Sequence, residues 1–332
     1  MSPNDSCATT SPKDLAARLG IQWPILCGAM FPCGNPELIA AVSAAGGMGI
    51  VQPIAVSHVW GHSLSDALRQ IRAVTPNPVG MNVLVEKSSR VFEQRMLAWT
   101  DEALALGVRF FVTSLGNPVE IVERAHAHGG LVFHAVTERR WAERAMKSGI
   151  DGLIAVNRDA GGHAGGLSAE KLFTSLRDLG LPILAAGGIG DPASARQMLD
   201  IGYAGIQMGT RFIATSECKA PDAYKQAIVD AAAADIVHTE RVTGVPLAVI
   251  RTPHVMAVGL RAGPLGRFLL RGRKTRHWMR FLYNVVSAWR QKRAMTKGHS
   301  TRDYWQAGRS VAHIHDVSSA GDIVRQIGAV FP

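Results

Sequence analysis

Short apolar segments alternate with amphipathic segments along most of the chain. Several of the apolar segments are almost continuously apolar, which is typical of parallel strands that are covered on both faces. The segments between them, such as Ser65–Val74 and Arg139–Ser148, carry apolar residues at helical spacing. The pattern predicts eight strands: Pro24–Gly28, Met48–Val51, Val79–Val85, Val108–Ser114, Leu131–Val136, Gly152–Val156, Ile183–Ala186 and Gly205–Met208.

Eight strands before residue 210, each followed by a helical segment, predict an α/β protein with a closed (β/α)8 barrel. An open doubly wound sheet is the alternative architecture. After the eighth strand the pattern changes, and we expect a helical insertion over residues 218–300 and a terminal helix over Tyr304–Ile327. The predicted domains are a barrel, formed by 15–217 and 301–331, and the insertion, which forms a lid.

Composition is that of a globular protein. The chain has 332 residues, of which 47% are hydrophobic and 19% charged, and these values exclude an intrinsically disordered chain. The chain has no apolar run of about 18 residues, the length a membrane span needs, and its polar start does not resemble a secretory signal. Cys7, Cys27, Cys33 and Cys218 show neither zinc-site spacing nor a secreted disulfide pattern. We therefore expect a cytoplasmic protein without a metal site.

Positive charge is concentrated in one segment. The net charge is +10, and residues 261–297 hold eleven Lys and Arg but no Asp or Glu. We interpret this segment first as a lid helix with solvated charges. An anionic membrane surface, an acyl carrier protein or a CoA ester is the alternative partner, whereas nucleic acid is disfavoured because no binding module accompanies the charge. Apolar residues recur within it at helical spacing: Trp278, Phe281, Leu282, Val285, Val286 and Trp289.

Glycine-bearing turns follow the last two predicted strands. Gly187-Gly188 comes after the seventh strand, and Gly209-Thr210 after the eighth. In such barrels these loops often bind phosphate, because backbone N–H groups can approach phosphate oxygens where side chains are missing. A tight turn without a ligand is the alternative role of these glycines.

A histidine lies between two Gly-Gly pairs after the sixth strand. Residues 157–166 read NRDAGGHAGG, with His163 near the centre. This loop offers no helical face into which the imidazole could pack, and active sites of such barrels form at the carboxyl ends of the strands. Because imidazole titrates near neutral pH, we predict His163 as a catalytic base or acid.

These motifs resemble the nitronate monooxygenase family of FMN-dependent barrels, which also contains flavin-dependent enoyl-ACP reductases and NADH:quinone reductases. The similarity runs from about Leu19 to Phe331 and is most specific in Ala160–Gly166, Ala186–Ile189 and Gln207–Phe212. The resemblance implies that His163 faces the flavin ring. It also implies a set of FMN-binding residues: Met30, Asn82, Gly161, Gly188, Gln207, Met208, Gly209 and Thr210.

Three departures from the family pattern bear on the substrate. The glutamine that is common before the family's histidine is absent, and Asp159 stands where glutamate is usual. Near the C-terminus the usual Ala-Gly-Gln reads Ala307-Gly308-Arg309. Arg158 and Arg309 are therefore expected to bring positive charge towards the pocket.

Three functions remain open. In the first, FMN accepts electrons from an alkyl nitronate or related carbon acid, oxygen is consumed, a carbonyl compound and nitrite are released, and His163 acts as base on neutral nitroalkanes. In the second, NAD(P)H reduces FMN, which passes hydride to an enone, enoyl thioester or quinone, with His163 as acid. In the third, the barrel binds FMN and docks an anionic partner through the basic helix. Nucleotide dehydrogenases of related fold are disfavoured, because residues 157–166 lack the cysteine they need.

Overall fold

Eight parallel strands form a closed barrel in sequence order. The computed structural model of the chain describes residues 10–86, 89–242, 244–261 and 304–332. The closed strand order confirms the predicted (β/α)8 barrel over the open sheet. The strands are β1 Ile25–Cys27, β2 Met48–Val51, β3 Gly80–Val85, β4 Phe110–Leu115, β5 Leu131–Val136, β6 Gly152–Val156, β7 Ile183–Ala186 and β8 Gly205–Met208.

Helices cover the outside of the barrel. Polar caps fix where several of them begin: the Ser63 side chain accepts a hydrogen bond from the backbone N–H of Asp66, and Asp191 and Ser194 form a reciprocal capping box. Among the described residues, no helix has the length and apolar character needed to cross a membrane. The helices are α1 Pro12–Leu19, α2 Pro36–Ala44, α3 Leu64–Val74, α4 Arg90–Ala105, α5 Val119–His126, α6 Arg139–Met146, α7 Ala169–Leu176, α8 Pro192–Ile201 and α9 Thr210–Ile213.

Two hydrophobic layers hold the barrel together. Successive residues of a strand point to opposite faces, so each strand contributes to both layers. One layer fills the barrel interior, where the rings of Phe110 and Phe133 meet edge to face with centroids 5.2 Å apart. The other layer lies between the strands and the helices and includes Met81 and Val83 of β3. This alternation decides which residues near the strand ends face the mouth of the barrel.

The segment after β8 contains a hairpin as well as helices. Helix α10 (Asp222–Asp230) is followed by the antiparallel strands β9 (Ile236–Thr239) and β10 (Leu247–Ile250) and by helix α11 (Pro253–Val258). The sequence pattern predicts only helices here, because four-residue strands are too short to show a period of two. Of the predicted basic segment, residues 261–297, all but residue 261 lie outside the described residues.

The C-terminal segment is not the single helix that was predicted over Tyr304–Ile327. A short 3-10 turn (Arg309–His313) is followed by an irregular stretch and then by helix α12 (Ala320–Gly328). The break has a local cause, since the side chain of Ser319 accepts a hydrogen bond from the backbone N–H of Asp322 and starts a new helix there.

Candidate active site

His163 lies in a loop that packing holds in place. The backbone carbonyl of Gly162 accepts a hydrogen bond of 2.8 Å from the N–H of Ala248 in β10, so the hairpin closes against this loop. On the other side, the backbone of Gly161 lies against the C-terminal segment, because a Cβ built there would come within 2.8 Å of the Gly308 nitrogen. Gly161 is therefore needed for the close approach of the C-terminal segment, and the loop is held between that segment and the hairpin.

His163 lies in the mouth of the barrel, at the carboxyl ends of the strands, where protein surrounds much of its side chain. Its side chain is exposed to solvent, yet the surrounding protein desolvates the imidazole and lowers its pKa from the usual 6.5. Desolvation disfavours the charged ring. At pH 7 the imidazole is therefore neutral and can accept a proton.

The glycine turns after β7 and β8 present free backbone donors. Gly187 and Gly188 have φ angles of 114° and 81°, which glycine adopts without strain. The side chain of Asn157 donates a 3.0 Å hydrogen bond to the carbonyl of Gly187 and so fixes the first turn. The backbone N–H groups of Gly188, Gly209 and Thr210 have no acceptor among the described residues. These donors suit an anionic oxygen such as that of a phosphate.

Thr210 connects these turns to the C-terminal segment. Its hydroxyl oxygen accepts a 3.0 Å hydrogen bond from the backbone N–H of Gly308. The hydroxyl hydrogen can therefore point towards a ligand, while the oxygen holds residue 308 against the site.

Polar amides of neighbouring strands line the mouth. Gln52, Asn82 and Gln207 follow β2 or lie in β3 and β8, and strand alternation turns all three towards the barrel interior. Gln52 and Asn82 are buried. The Oε1 atoms of Gln52 and Gln207 are both buried and have no hydrogen-bond partner among the described residues. Such groups are costly unless a ligand or water pairs with them, so they indicate a binding site.

Gln52 was not predicted from the sequence. A glutamine at the end of an apolar run reads as an ordinary strand boundary, and only the barrel geometry places it beside Asn82. The loop that follows it contains a π-helix, Ala55–Val59, a rare conformation that is frequent at functional sites.

The structure separates the remaining predicted cofactor residues into two groups. The side chain of Met30 lies next to Gly209, at 3.5 Å from a Cβ built on that glycine. Met208, by contrast, packs its side chain in the layer between strands and helices, so only its backbone is near the mouth. Its carbonyl accepts a hydrogen bond from Gly28, whose missing side chain leaves room beside Gln207.

The histidine in β5 has a structural role. His134 is buried between the barrel and the helices, and its Nδ1 lies 2.8 Å from the hydroxyl of Thr113. Burial lowers the pKa of this imidazole to about 4.

His134 should make stability depend on pH. Because the pKa in the folded state (about 4) is below the value near 6.5 expected in the unfolded chain, its neutral ring stabilises the fold fully above pH 6.5. This stability is lost as pH falls from 6.5 towards 4 and amounts to about 3 kcal/mol, at about 1.4 kcal/mol per unit. Urea unfolding of His134→Gln should show a flatter pH dependence than the wild type between pH 4 and 6.5. Identical pH dependence in the variant and the wild type would contradict the assignment.

The three described cysteines are buried in the protein. Cys27, Cys33 and Cys218 are free thiols, each about 1% exposed. Burial raises the pKa of Cys27 well above its usual value, so this thiol is protonated and inert as a nucleophile at neutral pH.

A cleft of about 450 Å³ opens at the other end of the barrel. Gln22, Trp23, Asn77 and Arg325 line it, next to the amino ends of the first three strands. Active sites of (β/α)8 barrels lie at the opposite end, at the carboxyl ends of the strands. No predicted site residue lines the cleft. The mouth that contains His163 is therefore the candidate active site.

The chain is similar to a known family and to several known proteins. The model of the nitronate monooxygenase family matches residues 13–329. The chain is 29% identical over 242 residues to (3aS,4S,5R,7aS)-5-hydroxy-7a-methyl-1-oxo-octahydro-1H-indene-4-carboxyl-CoA dehydrogenase of Mycobacterium tuberculosis, across 72% of this chain and 66% of that protein. It is 27% identical over 269 residues to a nitronate monooxygenase of Pseudomonas aeruginosa, across 68% of this chain and 76% of that protein. The solved structure of FabK from Thermotoga maritima matches with a TM-score of 0.77 and 27% identity, and the match covers 96% of this chain and 95% of that chain.

Proposed function

Because the chain belongs to the nitronate monooxygenase family, we propose that it is an FMN-dependent oxidoreductase that oxidises an alkyl nitronate or a related carbon acid. The observation that carries this proposal is His163, a solvent-accessible histidine at the barrel mouth whose lowered pKa keeps it neutral. A neutral imidazole suits removal of a proton from carbon.

The residues at the mouth fit FMN. The backbone N–H groups of Gly188 and Gly209, with Thr210, would hold the phosphate, since these donors have no acceptor among the described residues. The side chains of Asn82 and Gln207 would form hydrogen bonds with the polar part of the flavin. The Oε1 atom of Gln207 is buried and has no hydrogen-bond partner among the described residues. Met30 and Gly161 would complete the surroundings. When bound, FMN supplies the acceptor for the electrons that leave the substrate.

His163 would prepare the substrate for this oxidation. Its neutral ring takes the proton from the carbon beside the nitro group of a neutral nitroalkane, and the substrate becomes the nitronate anion. The ring is then a cation near that anion, which it stabilises. With oxygen as the second substrate, the overall products are a carbonyl compound and nitrite.

Gln52 provides a test of the cofactor site. We expect Gln52→Leu to bind FMN about 5-fold more weakly, because one hydrogen bond to a buried polar group is worth about 1 kcal/mol. The FMN-free variant should be at least as stable as the FMN-free wild type, since the substitution removes a buried oxygen without a partner. Flavin fluorescence titration and thermal unfolding measure the two quantities. Unchanged FMN affinity would place Gln52 outside the site.

The pH profile tests the role of His163. For a neutral nitroalkane, kcat/KM measured by nitrite release should rise with pH through a pKa below 6.5 and then level off, because the base must be unprotonated. A preformed nitronate needs no proton removal and should lack this rising limb. A limb that falls with rising pH over the same range would indicate an imidazolium acid and contradict the proposal.

A second candidate function is the dehydrogenation of a CoA thioester. It is favoured by the relative from Mycobacterium tuberculosis, which is named as a carboxyl-CoA dehydrogenase and matches 72% of this chain. The carbon beside a thioester carbonyl is also acidic, so the same base at His163 would serve. Turnover of an acyl-CoA in place of a nitronate, with the same rising pH limb, would favour this candidate.

A further inference from the structure

Two arginines converge on one carboxylate beside the glycine turns. The Nε of Arg158 lies 3.9 Å from one oxygen of Asp159, and Nη1 of Arg309 lies 3.5 Å from the other. Their side chains are 56% and 47% exposed, whereas Asp159 is 27% exposed. The arginines are 151 positions apart in the sequence, so the fold brings them together.

Backbone contacts fix this convergence. The N–H of Arg309 donates a 2.9 Å hydrogen bond to the carbonyl of Asp159, and the N–H of Asp159 donates a 2.8 Å hydrogen bond to the side chain of Asn157. Gly308 allows the contact, since a Cβ built there would come within 2.5 Å of the Asp159 carbonyl oxygen. The C-terminal segment is therefore locked against the loop after β6.

The guanidinium groups retain unused donors. Both contacts with Asp159 are longer than a hydrogen bond, in contrast to the 2.9 Å pair of Arg18 with Asp151. Hydrogen bonds from its own backbone N–H and from Ser168 lower the pKa of the Glu170 carboxyl, and Arg158 adds a smaller electrostatic contribution. Arg158 therefore interacts with Asp159 and, more weakly, with Glu170, whereas Arg309 pairs with Asp159.

The arginines stand at the edge of the candidate phosphate turns. The Cβ of Asp159 is 3.4 Å from a Cβ built on Gly188, and Gly308, next to Arg309, is held by the hydroxyl of Thr210. A planar guanidinium with five N–H donors matches the geometry of phosphate oxygens.

We propose that Arg309, assisted by Arg158, forms a phosphate subsite at the rim of the mouth and that Asp159 moderates its affinity. The subsite takes a phosphate ester of a ligand that is bound at the active site, and this inference rests on the proposed function. The ester has two possible sources: the phosphate of FMN, or the phosphates of a CoA thioester. Asp159 holds the two cations in place and repels the incoming anion.

The test compares ligands that differ only in phosphate. For the full-length FMN-free protein, the affinities of FMN and riboflavin are measured by flavin fluorescence. For the FMN-loaded protein, binding of coenzyme A and of pantetheine is measured by calorimetry. The variants are Arg309→Gln, the double variant with Arg158→Gln, and Asp159→Asn, with Arg18→Gln as a control because that arginine, 42% exposed, pairs with an aspartate at the other end of the barrel.

We expect Arg309→Gln to weaken one phosphate-bearing ligand about 5-fold and the double variant about 10-fold, as suits charged hydrogen bonds at half-exposed groups. Riboflavin and pantetheine should bind as before. Asp159→Asn should tighten the same ligand by about 3-fold, an effect that a purely structural role would not produce. A change for FMN identifies the flavin phosphate as the occupant, and a change for coenzyme A identifies the CoA phosphates.

Unchanged affinities for both phosphate ligands in all three variants would overturn the subsite. That outcome is distinguishable from failure of the proposed function, since nitronate oxidation by the wild type would be unaffected by it. Conversely, a wild type that oxidises neither nitronate nor acyl-CoA would still report on the subsite through FMN and riboflavin.

Discussion

Substitution of His163 by alanine should lower turnover of a neutral nitroalkane by about 100- to 10,000-fold, the range expected for a lost general base. The imidazole is neutral at pH 7 because the surrounding protein desolvates it, and no other described histidine lies in the loops at the mouth after β6, β7 or β8. A preformed nitronate has already lost its proton, so its oxidation should fall by less than about 10-fold. Nitrite release under air measures both rates.

Two controls separate catalysis from folding in this experiment. Thermal unfolding of His163→Ala should match that of the wild type, since the side chain is exposed and truncating it leaves no cavity in the core. His128→Ala, at an exposed helix end, should retain full turnover of both substrates. Equal losses on nitroalkane and nitronate would show that His163 acts on a later step than proton removal.

Gly188→Ala should reduce FMN affinity by about 100-fold, which corresponds to the loss of a charged hydrogen bond worth up to about 3 kcal/mol. Gly188 has a φ of 81°, which an L residue adopts only with strain, and its N–H is one of the donors proposed for the phosphate. A methyl group would shift this turn and narrow the space beside it. Equilibrium titration of the FMN-free protein measures the affinity.

Gly107→Ala is a matched control for this variant. Gly107 has a φ of 84° and no atom within 4 Å of a built Cβ, so alanine there meets the same backbone strain away from the mouth. Both variants should lose about 1 kcal/mol of stability. Only Gly188→Ala should lose FMN, and equal FMN affinity in the two variants would remove Gly188 from the phosphate site.

The barrel could be predicted from the sequence because its strands are short, buried runs. The bounds predicted for Leu131–Val136, Gly152–Val156 and Ile183–Ala186 are those observed. Turns with Gly, Pro or Asp bound such runs. Few other segments of the chain show a short apolar run between turn residues. The hairpin after β8 was missed because its strands, of four residues each, carry no readable period.

Individual site residues could be predicted only where they belong to a recognisable local sequence motif. His163 and Gly188 stand in glycine-rich loops that a sequence displays directly. Gln52 has no such motif, since its importance depends on β2 lying between β1 and β3 with its inward face at the mouth. The orientation of Met208 likewise depends on the alternation along β8, which turns its side chain away from the mouth.

Arg309 differs from the motif residues and from Gln52, because a contact between distant segments of the chain determines its position. The sequence places it 146 residues after His163, and its charge alone does not say where it lies. The backbone hydrogen bond to Asp159 brings it to the rim of the mouth. Sequence similarity identifies the motif in which Arg309 replaces the usual residue, and the fold shows which groups the replacement faces.

The most direct test of the proposed nitronate oxidation is an anaerobic titration of the FMN-loaded protein, in which the visible absorbance of oxidised flavin is followed. A propyl nitronate is added first, and NADH and NADPH are added to separate samples. We expect the nitronate alone to bleach the flavin band, so that the wild type needs no nicotinamide nucleotide. Bleaching by NADH or NADPH but not by the nitronate would contradict this expectation and would indicate a reductase.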